Sequence, residues 1–146
     1  MLKEGHLGLS LAVIFSLYIT LDIRGAEALM AAALATGLSI LPDLDLDLML
    51  RHRGATHSLL TGLLAGLATG LALTQYFAFP SGFLIGFSGV ALHLIGDLLT
   101  HSPFSPLWPF SRRRLSLKLF RSNNKWANRA LLALGVLMTA LYMLYA

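Results

Sequence analysis

The chain has 146 residues, the length of one domain, and 56% of them are hydrophobic with a mean hydropathy of +0.71. Soluble domains use roughly 45–50% apolar residues, so the expected solvent is a bilayer and a soluble all-buried bundle is the weaker reading. The absence of cysteine excludes disulfides and thiolate metal sites, while a formal charge of +4 and a pI near 9.9 come without the basic soluble face or base-reading motif that nucleic acid would need.

The first apolar run begins after a charged start and imitates a signal peptide. No small-x-small cleavage site follows it, because DIRGAEA is charged, so it reads as a retained helix. Further apolar runs cover about 26–41, 58–79, 82–100 and 127–146, the first being about 5–21. DIRG, the motif LPDLDLDLMLRHRGATHS, a turn at Pro80 and Ser81, and a long polar loop separate them. The expected fold is all-α: an integral membrane bundle of about five transmembrane helices, forming one domain over 1–146. The first two runs are short for a hydrocarbon core of about 30 Å, which usually takes about 20 residues. Gly62, Gly66 and Gly70 in the third run, with Gly82 and Gly86 in the fourth, allow close backbone packing; a gating helix is the alternative.

Five crossings sort the charges by side. Lys3, Arg51, Arg53, Arg112, Arg113, Arg114, Lys118, Arg121, Lys125 and Arg129 share one face, and Arg24 alone is opposite. The positive-inside rule then predicts an N-in, C-out protein of the cytoplasmic (inner) membrane, with the charged motif facing the cytoplasm.

Several chemistry-bearing residues converge on that face. His93 and Asp97 lie four apart and share one side of a helix, inside an apolar run where an ionisable group is expensive. They suit a metal site or a structural His–Asp bond between helices. Asp43 and Asp45 follow Pro42, which ends the second run. Two residues apart, they point to opposite sides, so one would ligate and the other orient a neighbouring group. His57 opens the third helix, with Thr56 or Ser58 available as its cap. Arg51 and Arg53 offer forks for phosphate or serve as snorkelling cations. His52 is open to ligation, proton transfer or plain exposure. His6 gains weight only by sharing the face. The loop SRRRLSLKLFRSNNKW suits an interfacial segment with Trp126 at headgroup depth, its cations drawing anionic lipid; nucleic acid is not an expected partner.

The segments EGHLGLS, LPDLD, HRGATHSLL and HLIGDLLTHSPFSPLWPFS, in this order, resemble the YdjM-like, LexA-regulated, membrane-bound metal-dependent hydrolases. The resemblance runs through Ser111 and implies a helical membrane protein with a His/Asp metal site and hydrolytic activity. It places His6, Asp43, Asp45, His52, Arg53, Thr56, His57, His93 and Asp97 on motif positions, with Leu46 where relatives often carry histidine. A fainter likeness, in ligand order, is to the helical zinc-dependent phospholipases C. It suggests a phosphoester and at most two ions.

The resulting expectation is a membrane-bound hydrolase of a lipid or other membrane-held phosphoester. Its divalent metal, one or two ions of zinc or alternatively manganese, would be held by His57, His93, Asp97 and Asp43, with His6 serving a second ion. Asp45 or His52 would move protons, and Arg53 with Arg112, Arg113 and Arg114 would neutralise substrate phosphate. The rival is a non-enzymatic membrane protein, either a metal-ion carrier or a bundle fixed by a structural His/Asp site. Oligomeric state is not legible in the sequence.

Overall fold

A computed structural model of the chain describes residues 1–44 and 54–145. Five helices form among the described residues: α1 (Lys3–Thr20), α2 (Ala26–Leu38), α3 (Leu59–Ala72), α4 (Phe79–Leu98) and α5 (Lys125–Tyr145), with a 3-10 turn at Leu41–Asp43. No named strand occurs among these residues; two isolated bridges, Thr100 with Phe120 and Phe104 with Leu115, tie the loop before α5.

Local chemistry sets the boundaries. Asp22 at φ 55° and Gly25 at φ 98° reverse the chain between α1 and α2, and only the second of these conformations demands glycine. Ser58 caps α3 by accepting the Thr61 N–H at 3.3 Å. Pro80 falls in the first turn of α4, not in the connecting turn expected from the sequence, because its missing N–H has no helical partner to lose there. The reversal comes earlier, with Tyr76 and Phe77 N–H both bonding to the Leu73 carbonyl, so α3 stops at Ala72. At 14 residues α3 is about 21 Å long.

The helices alternate in direction. Gly5 meets Asn128, Gly8 meets Leu132 and Tyr18 meets Tyr142, so α1 and α5 run parallel. Along α3 and α4 the order is opposed: Gly62, Gly66 and Gly70 face Phe87, Phe83 and Phe79. These glycines serve packing, since a methyl at Gly66 would stand 2.9 Å from the Phe83 carbonyl oxygen. Gly89 likewise lets α2 reach α4, for a methyl there would lie 2.7 Å from the Ala35 carbonyl oxygen.

Three segments, Ala26–Asp43, Phe79–Leu98 and Lys125–Tyr145, are long and apolar enough to cross a membrane. Many large apolar side chains stay exposed, including Leu64, Leu71, Leu84, Val136 and Leu144, as expected where the surrounding solvent is lipid. The core itself gathers Ile14, Phe15, Ala32, Ala35, Ile85, Leu92 and Tyr142 from α1, α2, α4 and α5.

Alternation brings the start of α1, the 3-10 turn, the start of α3, the end of α4 and the loop 101–124 to one end of the bundle. The loop seals the α4 terminus. Leu117 N–H bonds to the Leu98 carbonyl at 2.7 Å and Leu119 N–H to the Leu99 carbonyl at 2.9 Å, satisfying acceptors a helix end leaves open.

Candidate metal centre

Five residues from four segments meet at that end. His6 comes from the second turn of α1, Asp43 from the 3-10 turn, His57 from just before α3, and His93 and Asp97 from the last turns of α4. The three histidines have no exposed surface, Asp97 is 1% exposed and Asp43 5%. Pro42 lies within the tight turn that carries Asp43, and helical periodicity stacks His93 above Asp97, with 4.0 Å between Nε2 and Oδ2.

Four donor atoms lie close together. His57 Nε2 is 3.2 Å from His93 Nε2, 3.5 Å from Asp43 Oδ1 and 3.6 Å from Asp97 Oδ2. His93 Nε2 is 3.6 Å from Asp43 Oδ1. A tetrahedral ion with bonds of about 2.0–2.1 Å separates its donors by about 3.3–3.4 Å, close to the spacings of His57 and His93 from each other and from Asp43 Oδ1. The remaining carboxylate oxygens turn toward His6, whose Nε2 is 3.5 Å from Asp97 Oδ1 and 4.0 Å from Asp43 Oδ2. His6 also stacks on His93, with ring centroids 3.8 Å apart.

The protons argue in the same direction. His93 Nδ1 lies 2.7 Å from the Ser39 carbonyl, which can only accept, so Nδ1 carries a hydrogen and Nε2 is the nitrogen turned to the cluster. His57 Nδ1 lies 3.0 Å from Thr56 Oγ1, a hydroxyl able to play either role. Neither ring nitrogen of His6 completes a hydrogen bond despite full burial. Two buried carboxylates need positive charge beside them. One source is visible: the Met1 ammonium lies against Asp97 Oδ1. The described cluster could thus hold a metal ion, in the sets His6, Asp43, His93 and His57, His93, Asp97.

Other expected residues fall elsewhere. Arg112, Arg113 and Arg114 are exposed on the loop at the same end. Asp45, Arg51, His52 and Arg53 lie outside the described residues. Sequence reasoning missed Ser39, since a backbone carbonyl leaves no mark in side-chain pattern. It also missed Asn128, a buried side chain that accepts the Leu2 N–H at 3.0 Å and fixes the start of α1 beneath His6.

A helical membrane bundle whose one end closes around a buried His/Asp cluster is the class that this fold and site define. The chain belongs to the YdjM inner membrane protein family, whose model matches residues 1–146. No curated protein and no solved structure matches it.

Proposed function

We propose that the protein is a membrane-bound, metal-dependent hydrolase acting on a phosphoester at the cytoplasmic face. The observation that carries this reading is the donor set around the two aspartates. His57 and His93 face one oxygen of each carboxylate, and His6 faces the other. One tetrahedral ion would be filled by His57, His93, Asp43 and Asp97. A second ion on the His6 side would draw on His6, Asp43 and Asp97 among the described residues.

A bound dication supplies Lewis acidity to a phosphoryl oxygen and acidity to nearby water. The protein's own contribution is orientation. The Ser39 carbonyl fixes the His93 ring, and the Thr56 hydroxyl steadies His57. The exposed cations Arg112, Arg113 and Arg114 would draw an anionic headgroup toward this end. Arg53 would add a bidentate fork and Asp45 or His52 a proton acceptor, on sequence grounds alone. With five crossings, read from the apolar runs, the basic bias puts the N-terminus inside, and the alternating helix directions are consistent with it.

Complete burial favours a second reading, a structural ion clamping α1, α2 and α4. A structural site has four protein ligands and no open position. The test is a screen of purified protein, in lipid nanodiscs, against phospholipids and phosphomonoesters with zinc or manganese. The hydrolase reading expects turnover that chelation removes and metal restores. Full metal content with no turnover on any phosphoester would establish the clamp.

A further inference from the structure

At the end of the bundle opposite the His/Asp cluster, a cavity of about 510 Å³ opens between α1, α2 and α4. Its size is that of a small-molecule site. Its walls are mostly apolar: Ile14 and Leu17 from α1, Ala28 and Ala31 from α2, Leu84 and Ile85 from α4. Small side chains on α2 create the space, for that helix offers alanine where α1 and α4 offer leucine and isoleucine.

Length and charge identify the occupant. From Glu27 to Ala35 the α2 wall spans eight residues, about 12 Å at 1.5 Å per residue. One leaflet of hydrocarbon is about 15 Å deep, half of a core of about 30 Å. The inner end is shut where Gly89 lets α4 meet the Ala35 carbonyl and Leu38, so the groove does not reach the His/Asp cluster. Its outer end carries the exposed Arg24 and Glu27, with Asp22 beside Arg24. Asp22 accepts from Arg24 Nε at 2.7 Å, and the guanidinium lies 4.2 Å from the centroid of the Tyr145 ring. The guanidinium is therefore pinned at the rim, with one of its five donors spent on Asp22.

The geometry points to a binding site for one zwitterionic phospholipid: its acyl chain lies in the groove, its phosphate on Arg24 and its ammonium on Glu27. Walls from α2 and α4 belong to two of the segments apolar enough to cross a membrane, so the groove opens onto lipid. An anionic lipid would meet Glu27 as a like charge, and a soluble ligand would have no partner along the apolar walls. The bound lipid fills the gap that the alanines leave beside α1. This site stands apart from the metal reading and survives its failure.

The experiment uses delipidated full-length protein, titrated with phosphatidylethanolamine or phosphatidylglycerol and read by native mass spectrometry. One phosphatidylethanolamine per chain is expected, held at least tenfold better than phosphatidylglycerol. Ala31→Trp, which fills the groove, should lower that retention at least tenfold, and Glu27→Gln should bring the two lipids within about twofold. Glu27 is exposed, so that variant keeps the proposal testable if Ala31→Trp fails to fold. Equal retention of both lipids by the wild type, or a folded Ala31→Trp that binds as the wild type does, would overturn the site. So would Glu27→Gln with its preference intact.

Discussion

His57 Nε2 and His93 Nε2 stand 3.2 Å apart, while the Ser39 carbonyl claims the His93 proton at Nδ1. At least one of the two facing nitrogens is thus a bare acceptor, and the carboxylates of Asp43 and Asp97 add more. An ion there should hold together α2, α4 and the start of α3. Saturation at 1,000 times the dissociation constant stabilises a fold by about 4 kcal/mol. Chelation should therefore lower the melting temperature of the solubilised protein by several degrees, and zinc or manganese should restore it. An unchanged melting curve would mean that protons and the Met1 ammonium already balance the cluster.

Gly89→Ala should loosen the site without touching a donor. The new methyl would press on the Ala35 carbonyl oxygen and the Leu38 side chain, pushing α2 away and carrying Ser39 and Asp43 with it. Overpacking of this kind costs about 1–3 kcal/mol. Metal affinity measured by competition with a chelating dye should fall, whereas Gly37→Ala, which meets nothing within 4 Å, should bind as the wild type does.

Thr56→Val removes the hydroxyl beside His57 Nδ1 and keeps the volume. Groups that orient a ligating histidine typically contribute 10–100-fold in metal affinity. The same competition assay should show a loss in this range for Thr56→Val and little change for Thr56→Ser.

The all-helical architecture was legible because apolar runs separated by Pro, Gly and charged turns admit little else, and the family was legible in HRGATHS with HLIGD. The cluster was legible for a related reason. A four-residue spacing aligns His93 with Asp97, and alternating helices carry His6, Asp43 and His57 to the same end. What the pattern hid was backbone chemistry. The Ser39 carbonyl that orients His93 could be any residue's carbonyl, and Pro80 starts a helix or makes a turn depending on where the preceding helix frays. Leu59–Ala72 reads as longer in sequence, since Leu73, Tyr76, Phe77 and Ala78 extend the apolar run past the end of the hydrogen-bonded helix.

Reporter fusions test the membrane topology. α1 and α5 run parallel, and among the described residues the basic side chains other than Arg24 lie toward the cluster end. A reporter active only in the cytoplasm should work at Met1 and fail at Ala146. Signals from one side at both termini would remove a crossing, and the short α3 is the first candidate.

Asp97 decides the central claim, because its two oxygens face His57 on one side and His6 on the other. Asp97→Asn keeps shape and hydrogen-bonding capacity while removing the charge that a dication requires. Metal per chain, measured by inductively coupled plasma mass spectrometry on protein of equal helicity, should be one or two for the wild type and should fall at least tenfold in Asp97→Asn. A folded Asp97→Asn protein with the full wild-type complement of metal would contradict the His/Asp cluster as the metal centre.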